Sequence, residues 1–197
     1  MDKTQKYKGL RLSLEAGYIS RYHTERTLYT DTVGHHSYNV AQIILEVHPD
    51  ASSDLLVAAL RHDIAERRYG DIPAPSKREL PSYPENVGQL GTVQDERSFR
   101  EVFGELENNH LNSHGVPMPS LTSYEEWLLK YADAMDGLRF CLQEESMGNL
   151  RVQHVARNYV RYIEELLADG PEPILTKRCF DLFTYFLSGG LNHDTTG

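Results

Sequence analysis

Two histidines and two aspartates in this chain are placed to hold a metal ion. His62 and Asp63 are neighbours in Leu60-Arg61-His62-Asp63-Ile64-Ala65-Glu66, His36 opens an apolar helical segment, and Asp133 lies within Trp127-Leu128-Leu129-Lys130-Tyr131-Ala132-Asp133-Ala134-Met135. The segment around Asp133 is apolar through Trp127, Leu128, Leu129, Tyr131, Met135, Leu138 and Phe140, which predicts a helix buried over most of its circumference. A carboxylate in such a helix needs a partner, because an unpaired buried charge is very costly. Arg139 could supply it, and so could a metal ion. Two imidazoles and two carboxylates make a mixed nitrogen and oxygen donor set. That set suits Mn, Fe, Co, Ni or Zn and is too rich in nitrogen for Ca or Mg.

Glu66 follows His62 by four residues and Asp63 by three, the two offsets that share a helix face. A carboxylate there can orient a water beside the ion or serve as general acid or base. Lys130, three residues before Asp133, and Lys77, in a Pro-rich stretch, add cations, and cations beside a metal describe a phosphate site. Each feature also has an ordinary explanation. A His-Asp pair alone is usually structural, and the argument rests on the four positions together with Glu66 in register. His35 reads as a solvent-facing neighbour of His36, and Asp136 as an acid on the helix surface. His110 and His114 have metal-pair spacing, but Asn108-Asn109-His110-Leu111-Asn112-Ser113-His114-Gly115 reads as a polar surface loop.

Helices have to carry these side chains, because apolar residues recur at helical spacing along the chain. Tyr7, Leu10 and Leu14 mark a first helix, Val40, Ile43, Ile44 and Val47 a second, and Leu56, Ala59 and Leu60 a third that ends at Tyr69-Gly70-Asp71-Ile72-Pro73. A Pro-rich loop follows, then a helix from about Glu85 to Glu107. Thr122 with Glu125 forms a capping-box pattern that starts a long fifth helix. Val152 to Ile163 and Leu175 to Phe186 supply two more. There is no alternating strand segment of convincing length. The predicted class is all-α, a single domain of about seven helices over residues 1–188, with a frayed tail over 189–197.

Composition limits the partners. With 40% hydrophobic and 25% charged residues in 197, the chain can bury a core and is not of the disordered class. Its 20 Lys+Arg against 29 Asp+Glu give a net charge of −9, which argues against a nucleic-acid polymer as partner, since phosphate neutralisation needs a basic face. The longest apolar run, Leu55 to Leu60, is far below the ~20 residues that span a bilayer, and no signal peptide is evident at Met1-Asp2-Lys3. A cytoplasmic protein without a membrane partner is expected. Cys141 and Cys179 form no Cys-x-x-Cys pair and read as small buried apolar residues.

At its candidate site residues the chain resembles the HD-domain metal-dependent phosphohydrolases, all-helical enzymes with an H…HD…D set around one divalent metal. The blocks Ser20-Arg21-Tyr22-His23-Thr24, Thr32-Val33-Gly34-His35-His36-Ser37, Arg61-His62-Asp63-Ile64-Ala65-Glu66, Gly70-Asp71-Ile72-Pro73-Ala74-Pro75-Ser76-Lys77 and Lys130-Tyr131-Ala132-Asp133 look like those of the YfbR-type deoxynucleotide 5′-nucleotidases. They look equally like those of the phage-encoded dATP triphosphohydrolases. The resemblance implies His36, His62, Asp63 and Asp133 as metal ligands, with Glu66 and Asp63 in catalytic roles. It implies Arg21, Lys77 and Lys130 as phosphate-binding residues, and Tyr22, Thr24 and Pro75 as a sugar and base pocket. Tyr22 stands where the family commonly has Trp, and His35 where it often has Glu before the metal His.

The activity so implied is hydrolysis of the 5′-phosphate ester of a small-molecule deoxynucleotide. The favoured form converts dATP, with dADP and dAMP as further candidate substrates, to deoxyadenosine and the phosphate chain, with one transition metal at the site and Mg available to the triphosphate. Such an enzyme would control a nucleotide pool, in a host cytoplasm if phage-encoded. The alternatives are a monophosphate nucleotidase that releases orthophosphate and a non-catalytic helical module that only holds a metal. The family also leads one to expect a homo-oligomer, with the Leu175 to Leu187 helix as an interface.

Overall fold

The computed structural model describes residues 6–70 and 99–190. Among them the order is α1 (Lys8–Ala16), α2 (Val33–Val47), α3 (Ser53–Arg61), the single turn α4 (Glu66–Tyr69), α5 (Phe99–Ser113), α6 (Ser123–Ser146), a 3₁₀ turn (Leu150–Val152), α7 (Gln153–Ala168) and α8 (Pro173–Leu187). Among the described residues there is no strand beyond an isolated antiparallel bridge between Ser20 and Thr32, so the all-α expectation holds.

The helix starts follow from the local sequence. Thr32 accepts from the His35 amide at the start of α2, and Ser52 accepts from the Leu55 amide at the start of α3. Thr122 and Glu125 exchange both bonds of a capping box at α6. Glu172 caps α8, where Pro173 occupies the first turn and its missing N–H costs nothing.

α6 is the central element, with twelve buried residues including Trp127, Leu128, Tyr131, Met135, Leu138 and Phe140. It packs with α2, α3, α7 and α8 around one core. Polar tips tie it in as well: Trp127 Nε1 donates to Leu166 O at 2.9 Å and Tyr131 Oη to Cys179 O at 2.6 Å. A second cluster of Leu12, Ala16, Ile64, Ala65, Leu111 and Val116 seats α1 and α5 against the turn after α3. That cluster anchors the His62-Asp63 turn from below.

Three expectations change in detail. The third helix does not run unbroken to Tyr69: after the Arg61 end of α3, Ile64 N bonds Arg61 O and Glu66 N bonds Asp63 O in a tighter turn, and α4 then closes at Gly70 with φ +77°. Residues 108–113 are helix rather than loop, because buried Leu111 pulls the last turn of α5 onto the second cluster while Asn108, Asn109 and Asn112 face outward. In α1 the buried face is Leu12 and Ala16, and Tyr7, Leu10 and Leu14 lie exposed. On α8, Leu175, Cys179, Phe183 and Phe186 are spent on the chain's own core, and Phe180, Tyr185 and Leu187 face outward. No helix among the described residues is long and apolar enough to cross a membrane.

Candidate metal centre

Three helical elements converge on one point. The first turns of α2 bring His36, the turn between α3 and α4 brings His62 and Asp63, and the middle of α6 brings Asp133. His36 Nε2 lies 3.1 Å from His62 Nε2, 3.1 Å from Asp133 Oδ1 and 3.5 Å from Asp63 Oδ2. His62 Nε2 is likewise 3.5 Å from Asp63 Oδ2. One ligand atom from each of His36, His62 and Asp133 falls within 4.8 Å of the others.

The tautomers are decided by the far side of each ring. His62 Nδ1 sits 2.8 Å from the Ala59 carbonyl, which can only accept, so Nδ1 carries the proton and Nε2 a lone pair. His36 Nδ1 likewise donates, to Asp136 Oδ2 at 2.7 Å, while its Nε2 faces the Asp133 carboxylate. The two Nε2 atoms face each other among the Asp63 and Asp133 carboxylates, where a proton on His36 Nε2, or a metal ion in its place, offsets the negative charge. Burial and the Arg21 charge both push the His36 pKa down, but hydrogen bonds to Asp133 and Asp136 outweigh them and hold it up at about 9. Burial would lift the Asp63 carboxyl, yet the His62, His36 and Arg21 charges outweigh that and hold it below the usual range. The donor set fits a divalent metal of the imidazole and carboxylate type.

Asp133 and Asp136 exchange the characters expected of them. The Asp133 side chain is 47% exposed, on the open side of the cluster, so its carboxylate does not depend on Arg139. Asp136 is the fully buried acid, held between His36 Nδ1 and Arg139 Nε, the latter at 2.6 Å. Asp136 is thus buried rather than the surface acid expected from the sequence. The signal was available: Asp136 is flanked by Met135 and Gly137 on a helix that is apolar almost all round, so the burial argument applied to Asp133 applies to it more strongly.

Other predicted residues separate by place. Glu66 is buried at the first residue of α4, directly after the His62-Asp63 turn. Arg21 reaches the cluster from the loop between α1 and α2, with Nη2 4.0 Å from Asp133 Oδ1 and Nη1 3.8 Å from Asp136 Oδ2. Tyr22 has φ +55°, a backbone setting that L residues rarely adopt, and its ring stacks on Phe140 at 4.6 Å between centroids. Its hydroxyl pairs with that of Tyr159 at 3.2 Å, a residue that no motif or spacing singles out. Thr24 is exposed in the same loop, and Lys130 is exposed on α6 one turn before Asp133. Lys77 and Pro75 lie outside the described residues. His35 is 56% exposed and turns its Nδ1 to Asp31 at 3.2 Å, so the support for His36 comes from Asp136 instead.

Residues 12–173 match the family model described as 5′-deoxynucleotidase YfbR-like. The chain belongs to that family. Relatives include a 5′-deoxynucleotidase of Yersinia pestis (strain Pestoides F) and one of Yersinia pseudotuberculosis serotype O:3 (strain YPIII), each 25% identical over 143 residues, covering 66% of this chain and 70% of the relative. Among solved structures, the cyanophage S-2L HD phosphohydrolase DatZ, bound to dA and one catalytic Zn²⁺ ion, superposes with a TM-score of 0.67 at 16% identity over 91% of this chain and 96% of that one. An HD-domain phosphohydrolase from Listeria innocua gives 0.57 at 19% identity over 93% and 86%. The architecture of the YfbR-like chain is thus the HD-domain phosphohydrolase fold.

Proposed function

We propose that this YfbR-like chain is a metal-dependent hydrolase of the 5′-phosphate ester of deoxynucleotides. The observation that carries the reading is the convergence of His36 Nε2 and His62 Nε2, 3.1 Å apart, with the Asp63 and Asp133 carboxylates and the Arg21 guanidinium beside them. His36, His62, Asp63 and Asp133 would hold the ion. A bound divalent metal supplies Lewis-acid charge and lowers the pKa of water.

The chain's own residues supply the rest. Arg21 offsets charge that develops on the phosphate oxygens. Glu66, buried one turn beyond the ligand pair, moves a proton to the leaving 5′ oxygen. Tyr22, braced by Phe140, forms a wall for sugar and base, with Thr24 and Pro75 as further pocket residues. Lys130 and Lys77 are the cations that would hold a longer phosphate chain. The finer reading is dATP as substrate, with deoxyadenosine and triphosphate as products, in a phage-encoded, cytoplasmic homo-oligomer. Exposed Phe180, Tyr185 and Leu187 on α8 support a protein contact.

The test is product analysis. Each dNTP and dNMP is incubated with the protein and Mn²⁺ or Co²⁺, and triphosphate is separated from orthophosphate. Triphosphate from dATP is the expected product. Orthophosphate from monophosphates alone would make the chain a nucleotidase, and no turnover of any nucleotide would overturn the hydrolase reading.

A further inference from the structure

Arg21 is gripped from behind by a residue outside the ligand set. The bridge between Ser20 and Thr32 places residues 21 and 31 opposite each other, and Arg21 N donates to Asp31 O at 3.0 Å. Val33 N closes the same loop on Ile19 O at 2.9 Å. The Asp31 side chain, 1% exposed, then accepts from Arg21 Nη1 at 3.3 Å. Main chain and side chain of one residue thus hold main chain and side chain of the other.

The grip determines which edge of the guanidinium is left for a ligand. A guanidinium recognises a phosphate best through two parallel N–H groups on one edge. With Nη1 committed to Asp31, the remaining edge is Nε and Nη2. Arg21 Nε is buried with no hydrogen-bond partner among the described residues, on a side chain that is 9% exposed. Nη2 is 4.0 Å from Asp133 Oδ1, beyond hydrogen-bond length. An edge with a buried, unbonded Nε and an Nη2 held only by a long ion pair to Asp133 leaves hydrogen bonds for an anionic ligand to complete. Without Asp31, Nη1 would lose its acceptor and the guanidinium its fixed orientation in the site.

We infer that Asp31 is a positioning residue: it fixes the orientation of the Arg21 guanidinium and turns its Nε–Nη2 edge to the substrate phosphate. This rests on the proposed phosphohydrolase reading, so the test includes a measurement that needs no turnover. Binding of inorganic phosphate to the metal-loaded protein is measured by calorimetry for wild type, Asp31→Ala, Arg21→Ala and the double variant, with KM for the nucleotide measured alongside.

Asp31→Ala should weaken phosphate binding and raise KM about 10-fold or more, the scale of a lost hydrogen bond to a charged group. In the Arg21→Ala background the same change should have no further effect. Asp31→Asn, whose amide oxygen can still accept from Nη1, should recover part of the loss and keep the assay usable if the Ala variant folds poorly. Metal affinity should stay within about 2-fold, since Asp31 touches no ligand, whereas a general loosening of the site would lower it. Equal losses with and without Arg21, or unchanged phosphate binding in Asp31→Ala, would overturn the proposal. Non-additive phosphate binding without nucleotide turnover would keep the clamp and sink the hydrolase.

Discussion

His36 Nδ1 and Asp136 Oδ2 meet at 2.7 Å inside the protein, with both side chains at 0% exposure. Asp136 lies one helical turn from Asp133, so a single stretch of α6 presents one carboxylate to the open side of the cluster and another to the back of His36. The second fixes the ring's tautomer and aims Nε2 at the site, the work that outer carboxylates do for metal-bound histidines. Burial alone would push the Asp136 carboxyl up, but His36 and, after it, Arg139 at 2.6 Å outweigh that and hold it below the usual range.

Asp136→Asn retains the shape and removes the charge. Its metal affinity is expected to fall by about 10- to 100-fold, the range found for such supporting groups. Titration of Zn²⁺ or Mn²⁺ into the metal-free variant measures this directly. Affinity equal to wild type would mean that Asp136 only fills space.

Glu66→Gln should separate binding from chemistry. Glu66 is buried beside the ligand turn and is not one of the four proposed ligands, so the variant should bind metal within a few-fold of wild type. Its kcat should drop by about 10²- to 10⁴-fold, as expected for loss of a general acid or base. Metal titration and single-turnover nucleotide hydrolysis on one preparation give both values. Undiminished turnover would remove Glu66 from the mechanism, and lost metal would make it a ligand.

The metal set was readable from the sequence because its members obey strong rules: a His-Asp pair closing an apolar helix and an acid within another. The helices were readable for the same reason, since Val40, Ile44 and Val47, or Leu128, Tyr131 and Met135, repeat at the helical period and end in recognisable caps. Asp31 and Tyr159 escaped because their value lies in what they face. Asp31 looks like an ordinary loop acid until the bridge at Ser20 and Thr32 sets it against Arg21. The exposed stripe on α1 shows the converse. Tyr7, Leu10 and Leu14 have the period of a buried face, but period alone does not say which side of a short helix meets a neighbour.

Cys141 and Cys179 should be unreactive in the folded protein. Both are fully buried, and burial pushes each thiol up to about 12, far from the thiolate form that reacts at neutral pH. Modification by a thiol reagent at pH 8 should be slow in buffer, with both cysteines titrating quickly in denaturant. Fast labelling of one thiol in buffer would report that α6 or α8 opens locally.

Gly137 should tolerate no side chain while Tyr159 is in place. A Cβ there would stand 2.3 Å from Tyr159 Cζ and 2.6 Å from its hydroxyl, so the ring would have to leave its seat on α6. That seat is shared, since the Tyr159 hydroxyl meets Tyr22 at 3.2 Å and the Gly137 carbonyl accepts from Tyr22 at 3.4 Å. Displacing the ring therefore disturbs the proposed sugar wall as well as the packing. Gly137→Ala is expected to cost about 1–3 kcal/mol by overpacking, read as a lower midpoint in denaturant with an unchanged slope. In a Tyr159→Ala background the clash is gone, and the same change should cost nothing or stabilise by up to about 1 kcal/mol, because alanine is the better helix residue. Equal costs in both backgrounds would show that the close approach of Tyr159 to α6 is not what demands glycine.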